Sequence, residues 1–355
     1  MTTVLYWLLA ILVFCLLILV HECGHYAAAR LAGVRIYEFS IGMGPKMITY
    51  TSKKTGIRYS VGVFLIGGYV SMAGEDEESD DPNAFGKKAA WKRMIIVAAG
   101  GLMNLVLGFV LMLVLVLTSG PLASNQIHSY PSSDYFEQNQ MISSEESGLR
   151  PGDRIIAING TRVHIAADMR YEIMHQGGSG PVDVTVVRDG KELTLSVLFP
   201  TIGAEGTDMR FGFTDFYVAA EPTTVGSVMR HTYYQSVSTV KMIWDSLVDL
   251  VQGRYGLEAV SGPVGVAGAM TEAAATDWNQ FLYLVAVISV NLGVLNLLPI
   301  PALDGGRFVF LLLETIFRRP VVPPKYEALV HTIGFFLFIL LAIVVLFKDV
   351  IWLFG

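Results

Sequence analysis

The first apolar segment of this chain ends in three ionisable side chains. The uncharged, mostly apolar run Val4–Val20 leads directly into the pentapeptide HECGH, residues 21–25. Ionisable groups at membrane depth cost roughly 2.5 to 3.5 kcal/mol each, so three of them in five residues indicate a compensating role. The alternative is that the helix ends at Val20 and that these side chains are solvated at the membrane surface.

The spacing of the two histidines is typical of a zinc site on a helix. His21 and His25 are four residues apart and share one helix face, while Glu22 stands beside them, where it can act on a water molecule held by the metal. Cys23 points about 200° away from His21 on a helix, so we expect it to pack rather than to bind metal. A catalytic zinc site needs a third protein ligand from elsewhere in the chain.

Four stretches are long and apolar enough to cross a membrane, which takes about 20 residues with a lower limit near 17. They are residues 4 to about 29, 94–117, 281–298 and 328–347. The composition, 53% apolar and 16% charged, fits a chain divided between bilayer and water. No Lys or Arg precedes the first run, which argues against a cleaved signal peptide.

The distribution of Lys and Arg predicts the orientation of the chain. Residues 30–93 carry ten and residues 307–325 carry four, and short basic loops face the cytoplasm. Residues 120–278 also carry ten, but long domains are translocated largely regardless of charge. We therefore expect both termini and the central segment to be extracytoplasmic. The net charge of -6, without a basic patch, gives no reason to expect a nucleic-acid partner.

A β-hairpin is predicted after the first span. Tyr37–Pro45 and Arg58–Met72 have the composition of strands, with glycines at bends. Residues 64–70 are too apolar for an ordinary cytoplasmic hairpin, and non-helical backbone enters a bilayer only where protein or a water-filled cavity satisfies it. We expect the hairpin to dip into the membrane beside the metal with an exposed edge. The alternative is a hairpin packed on a small cytoplasmic subdomain.

The central segment has an α+β pattern. A strand over Arg154–Ile158 and a helix over Ala166–Gln176 precede strands over Val182–Arg188 and Lys191–Leu198, which the turn Asp189-Gly190 joins. Over Thr223–Gln252 apolar residues recur at helical spacing. That spacing indicates an amphipathic helix on the outer membrane surface or an ordinary packed helix.

A carboxylate follows the third span. Pro299 and Pro301 must unwind the helix there, and Asp304 comes three residues later. In the predicted orientation, His25 at the inner end of span one and Asp304 at the inner end of span three lie at the same depth. Asp304 is therefore the candidate third ligand.

Together these motifs resemble the site-2 protease family (peptidase family M50) of intramembrane zinc metalloproteases, in its bacterial RseP/RasP-like branch with one PDZ domain. The resemblance rests on HECGH, FSIGMGP at residues 39–45, GGYVSMAGE at 67–75 and LPIPALDGG at 298–306. AAGGLMN at residues 98–104 is similar to a second-span motif of that family, with Gly101 where proline is usual. GLRPGDRIIAING at residues 148–160 resembles the PDZ domains of bacterial membrane proteases.

The resemblance implies one Zn²⁺ per chain, bound by His21, His25 and Asp304, with Glu22 as the catalytic acid/base. It also implies residues that contact an extended substrate. These are Asn296, Pro299 and Pro301, together with the hairpin near Gly67 and Gly68.

The resemblance also implies a fold and a location. The fold is a polytopic α-helical protein of the bacterial plasma membrane with four transmembrane helices, a membrane-associated β-hairpin and an extracytoplasmic α+β PDZ-like domain. The expected division places the four spans at residues 1–33, 91–119, 279–306 and 327–355. Between them lie the hairpin region 34–90, the PDZ-like domain 120–202, a linker with the amphipathic helix 203–278, and a cytoplasmic loop 307–326.

The implied activity is cleavage of transmembrane segments of single-span proteins, such as anti-sigma factors and remnant signal peptides, within the bilayer after trimming by a site-1 protease. The PDZ-like domain would bind peptides or exclude bulky ectodomains. A metal transporter and a catalytically silent adaptor are the rival hypotheses. A transporter should show ligands along a path and an internal repeat, and neither rival needs Glu22 between the histidines.

Overall fold

The computed structural model describes residues 2–75, 79–132, 136, 141–203, 210–254, 256, 260–319 and 321–354. Residues 204–209, 255 and 257–259 of the predicted linker lie outside this part. The chain forms two compact units, one of Met1–Leu111 with Asp245–Gly355 and one of Met112–Trp244.

The helices, numbered along the chain, are α1 (Thr2–Ala32), α2 (Ala90–Thr118), α3 (Ala166–Gln176), α4 (Val225–Val251), α5 (Pro263–Thr276), α6 (Trp278–Leu297), α7 (Asp304–Phe317) and α8 (Pro324–Phe354). The strands are β1 (Ile36–Thr51), β2 (Arg58–Met72), β3 (Leu122–Ser129), β4 (Arg154–Ile158), β5 (Thr161–Arg162), β6 (Val182–Arg188), β7 (Lys191–Val197), β8 (Thr201–Gly203), β9 (Arg210–Gly212) and β10 (Tyr217–Glu221).

Four of these helices are long and apolar enough to span a membrane, as the sequence predicts. The spanning segments are Val4–Ala32, Ala90–Thr118, Trp278–Leu297 and Lys325–Asp349. The first begins at Val4 as expected, and the other three begin three or four residues before the expected apolar stretch, since polar residues continue a helix beyond its apolar core. α1 runs unbroken through HECGH, so the alternative of a helix that ends at Val20 is wrong.

The hairpin is folded back on itself. β1 and β2 pair with several register shifts, so residues 38–41 lie between residues 68–71 on one side and residues 58–61 on the other. Residues 46–51 pair with the outer side of residues 58–62. β1 extends beyond the expected end at Pro45, because this proline falls in the register shift between Met43 and Lys46, where its missing N–H breaks no ladder bond. Residues 68–72 form one edge of this sheet.

The remaining helices of the first unit complete a core around α1. α5 lies in the expected linker and begins with Pro263 at its first turn, a position that tolerates a missing N–H. It buries Ala267 and Met270 in one cluster with residues of α1 and α6. α7 occupies most of the loop expected at 307–326 and buries Leu311 beside the hairpin.

The second unit contains a sheet with the strand order β10-β3-β4-β6-β7, in which β5 pairs with β4. The sequence-based bounds of β4, α3 and β6 agree with the structure. A core that includes Leu149, Ile155 and Met169 packs between the sheet and α3. Inside this unit the buried Asp153 accepts two hydrogen bonds of 2.7 Å from Arg188.

Candidate active site

Three side-chain atoms from two distant parts of the chain converge in the C-terminal half of α1. Nε2 of His21 and Nε2 of His25 lie 3.2 and 3.1 Å from Oδ2 of Asp304, and 3.2 Å from each other. A tetrahedral zinc ion with bonds of about 2.0 to 2.2 Å separates its ligand atoms by about 3.3 Å. The three atoms therefore have the spacing of a zinc site.

The hydrogen bonding of Asp304 supports the same conclusion. Its Oδ2 atom is buried and accepts no hydrogen bond with good geometry from a described residue. A buried carboxylate oxygen without a donor is unfavourable unless another group compensates its charge. The nearby histidine nitrogens and this oxygen together form a donor set that fits Zn²⁺.

Residues of α2 contact the outward ring nitrogens of both histidines and fix the tautomer of His25. Nδ1 of His25 donates to the carbonyl of Ile96 at 2.8 Å, which leaves the lone pair of Nε2 directed into the site. Nδ1 of His21 lies 3.4 Å from Nδ2 of Asn104, and Oδ1 of the same amide is buried without a described partner. Exchanging the nearly isosteric oxygen and nitrogen of this amide lets Oδ1 accept a hydrogen bond from His21.

Glycines allow α1 and α2 to approach closely at this site. A Cβ atom on Gly100 would lie 2.3 Å from Nε2 of His25 and 2.7 Å from Cε1 of His21. A Cβ atom on Gly24 would lie 2.3 Å from the carbonyl oxygen of Ala99. Only a residue without a side chain fits at either position, so the imidazoles pack directly against the backbone of α2.

A turn between α6 and α7 places Asp304 at the site. α6 ends at Leu297, and Asp304 is the first residue of α7. A Cβ atom on Gly305 would lie 2.0 Å from the carbonyl oxygen of Leu298, so this glycine lets the turn fold back on the end of α6. Ala302 has a φ of +77°, which is unusual for a residue with a side chain.

The site opens into a cavity of about 420 Å³. Its walls include the three convergent side chains, Glu22, the edge residues 68–72 of β2, and residues of α2 and α7. A Cβ atom on Gly68 would lie 2.9 Å from Cγ of Glu22, so the edge of the sheet runs directly beside this glutamate. The candidate catalytic groups therefore share one cavity with a strand edge that has no partner among the described residues.

The other expected substrate residues take different positions. Gly68 lines the cavity, whereas the cavity walls do not include Gly67, which packs against Met43. Asn296 donates a hydrogen bond of 2.9 Å to the carbonyl of Leu292 within its own helix. Pro299 and Pro301 lie in the turn before Asp304. Pro299 is exposed, and Pro301 packs against Gly334. Cys23 is exposed and lies outside the group of convergent ligands.

The sequence-based reasoning missed Glu75 and Arg307, which line the cavity. Nη1 of Arg307 lies 2.7 Å from Oε1 of Glu75, and the pair joins the end of β2 to α7. Arg307 is three residues after Asp304, and residues at this spacing share one face of a helix. That spacing could have indicated a role for Arg307 at the site.

The chain resembles a known protein family along almost its whole length. The sequence model of the family described as "Peptidase family M50" matches residues 9–341. The chain belongs to peptidase family M50. A putative zinc metalloprotease of Clostridium acetobutylicum is 36% identical over 97% of each chain. The regulator of sigma-W protease RasP of Bacillus subtilis is 30% identical over 96% of this chain and 97% of its own length.

Membership in family M50 establishes the class of activity. The chain is a zinc metalloendopeptidase of the site-2 protease type, its cofactor is Zn²⁺, and it is a bacterial membrane protein whose described residues form four helices long and apolar enough to cross a bilayer. A putative zinc metalloprotease of Clostridium perfringens is 34% identical over 98% of this chain and 99% of its own length. The family favours the protease hypothesis over the transporter and the silent adaptor.

Proposed function

We propose that this chain cleaves transmembrane segments of single-span membrane proteins, with His21, His25 and Asp304 as the zinc ligands and Glu22 as the catalytic acid/base. The convergence of the three ligand atoms within 3.2 Å of one another carries this proposal. When bound, zinc supplies Lewis-acid polarisation of the scissile carbonyl and an acidified water molecule.

The protein's own groups perform the proton transfers. Glu22 lies in the cavity wall next to His21, and its carboxylate takes the proton from the attacking water. The same carboxyl group then returns the proton to the nitrogen of the departing amine. The hydrogen bond from His25 to the carbonyl of Ile96 keeps the ligand imidazole oriented during this cycle.

The edge of β2 presents the substrate. A helical segment hides its carbonyls in bonds between residues i and i-4, so it must unwind before it can be cut. Residues 68–72 pair on one side with β1, and their other side borders the cavity. A substrate strand that pairs there recovers main-chain hydrogen bonds and passes next to Glu22. Substrates with helix-breaking residues near the scissile bond should therefore be cut fastest.

The substitution Glu22→Gln tests this mechanism. It should lower cleavage of a tagged single-span substrate without an ectodomain by about 10² to 10⁴-fold, because general acid–base catalysis contributes that much. The bound zinc should remain, since the three ligands are unchanged. Glu192→Gln, on the exposed strand β7, is the matched control and should cleave at the native rate. Equal cleavage by Glu22→Gln and the native chain would refute Glu22 as the base.

We further propose that the second unit contains an extracytoplasmic PDZ-like domain that excludes bulky ectodomains, so that substrates arrive after trimming by a site-1 protease. Side chains of α4 cover the face between α3 and β10, where a PDZ-like fold would take a peptide. The ring of Tyr234 stacks on His164 at 3.8 Å, Lys241 lies 2.7 Å from Glu172, and His231 lies 3.5 Å from the Glu221 carboxylate. Because this face is covered, exclusion is favoured over peptide capture.

Substrate size provides the test of exclusion. A single-span substrate should be cleaved after its ectodomain is removed, and fusion of a folded domain to the trimmed end should prevent cleavage. A synthetic peptide that matches the trimmed end should leave the rate unchanged, because the domain does not capture it. Equal cleavage of the trimmed and fused substrates would contradict the filter.

We propose that α4 lies on the outer membrane surface. At its start, Val228 packs with Val116 and Leu122 at the end of the span in α2. One side of α4 exposes apolar residues at helical spacing, namely Met229, Tyr233, Val237, Val240 and Trp244. This orientation puts the termini and the PDZ-like domain outside and the basic loops in the cytoplasm. Cysteine labelling tests this orientation. A single cysteine is introduced at residue 53 or at residue 192 in a variant that lacks Cys15 and Cys23, and intact cells are treated with an impermeant thiol reagent. The reagent should modify the cysteine at residue 192 and not the cysteine at residue 53.

A further inference from the structure

A histidine lies within the span of α8, just before the apolar run of residues 333–347. His331 belongs to the spanning segment Lys325–Asp349, and its Nε2 atom is buried without a described hydrogen-bond partner. An ionisable side chain in a span is unfavourable in lipid and so indicates a function. The zinc ligands and the general base proposed above do not include this residue.

The other ring nitrogen of His331 contacts the turn that precedes Asp304. The backbone N–H of Ala302 donates to Nδ1 of His331 at 3.1 Å, across 29 residues of sequence. Ala302 is the residue with a φ of +77°, a conformation that an alanine adopts only where the surroundings hold it. This hydrogen bond therefore acts on the strained point of the turn.

A second contact, one helical turn further along α8, holds the same turn. A Cβ atom on Gly334 would lie 2.4 Å from Cβ of Pro301, so the proline packs into a notch that only glycine provides. On the α7 side, a Cβ atom on Gly306 would lie 3.1 Å from Cε1 of His331. The turn that carries Asp304 is thus enclosed between α7 and the face of α8 that His331 and Gly334 form.

We propose that His331 is a positioning residue that holds Ala302 in its left-handed conformation and thereby places Asp304 against His21 and His25. The inference rests on the proposed ligand set. Since Nδ1 accepts a hydrogen bond, the ring proton is on Nε2 and the imidazole is neutral. His331 does not touch the reacting atoms and acts through two residues of backbone.

This geometry distinguishes two replacements of the histidine. The side-chain amide of asparagine reaches about as far as Nδ1 of histidine, so His331→Asn retains an acceptor for Ala302. His331→Leu has a similar volume and no acceptor. Thr332→Ala is the matched control, because this threonine lies next to His331, is exposed, and donates its hydroxyl proton to the carbonyl of Ala328 in its own helix.

The experiment measures how long the purified full-length chain retains zinc after addition of excess chelator, together with cleavage of the trimmed substrate. For His331→Leu we expect zinc to be lost 10 to 100-fold faster, as for other groups that orient a ligand. His331→Asn and Thr332→Ala should stay within about threefold of the native chain. Equal zinc retention by His331→Leu and the native chain would overturn the inference, as would equal loss by His331→Asn and His331→Leu.

Two further variants make the result specific. Gly334→Ala should also accelerate zinc loss, because its methyl group displaces Pro301, and it provides the test if His331→Leu does not fold. Native retention by a folded Gly334→Ala would contradict the proposed enclosure of the turn. His21→Ala separates this inference from the proposed function. If His21→Ala retains zinc, the ligand set itself is wrong, whereas its loss together with unchanged His331→Leu refutes only the positioning role.

Discussion

Gly100 in α2 gives the sharpest test of the site, because it leaves no room for a single methyl group. In Gly100→Ala the new Cβ atom would lie 2.3 Å from Nε2 of His25 and 2.7 Å from Cε1 of His21. Non-bonded carbon contacts have an optimum near 3.5 Å, so the imidazole of His25 must move by about 1.2 Å. Ligand distances in metal sites are defined to about 0.2 Å.

The displacement of the imidazole should weaken zinc binding by about 100-fold or more. That loss corresponds to about 2.8 kcal/mol at 1.4 kcal/mol per tenfold change. The replacement should not weaken the helix itself, since alanine is favoured over glycine in a helix interior by about 1 kcal/mol. The predicted defect is therefore in metal binding and cleavage rather than in the stability of α2.

Competition with a fluorescent zinc chelator measures the affinity of the purified chain, and cleavage of the trimmed substrate is measured on the same preparations. Gly268→Ala in α5 is the control, because its Cβ atom would meet nothing within 4 Å. It should bind zinc and cleave as the native chain does. Native zinc affinity in Gly100→Ala would show that His25 does not hold the metal against the backbone of α2, and the geometry of the site would have to be revised.

Three other perturbations test contacts of single residues. Asn104→Ala should lower zinc affinity by about 10 to 100-fold because His21 loses the partner of its Nδ1 atom, and an unchanged chelator competition would contradict this. Arg188→Ala should lower the free energy of unfolding in denaturant by about 3 to 5 kcal/mol, because it leaves the buried Asp153 carboxylate without its cation; a loss below 1 kcal/mol would refute the argument. Burial lowers the pKa of His231 below 6.5, so the unfolded chain binds more protons just below that value. Thermal stability should therefore fall as the pH drops below 6.5, and His231→Gln should reduce this dependence.

Local signals predicted those elements whose ends are marked in the sequence. β6 ends before the turn Asp189-Gly190, and its bounds follow from that dipeptide and the alternation of valines. The return of β1 to a second set of partners was not predictable, because register between distant segments leaves no period in the sequence. The helix α5 was not predictable either. Its glycines and its proline indicate a break in the chain, whereas its small residues pack in one cluster with α1 and α6.

The candidate site shows the same division. The spacing of the histidines and the prolines before Asp304 identify the residues that the structure brings together. Gly100 and His331 act through a close approach between helices, and a single glycine or histidine in an apolar run carries no sign of its partner. Such residues become visible only when the distances between segments are known.

The edge formed by residues 68–72 gives a spectroscopic view of the site that does not depend on turnover. In an antiparallel pair, successive backbone N–H groups alternate: one donates to the neighbouring strand, and the next points away from it. Half of the amides in this short segment therefore face the cavity and should exchange with deuterium much faster than those bound to β1. An extended ligand would protect the fast set alone, so isotope exchange at these few positions reports occupancy directly, even in a Glu22→Gln chain that holds its substrate uncut.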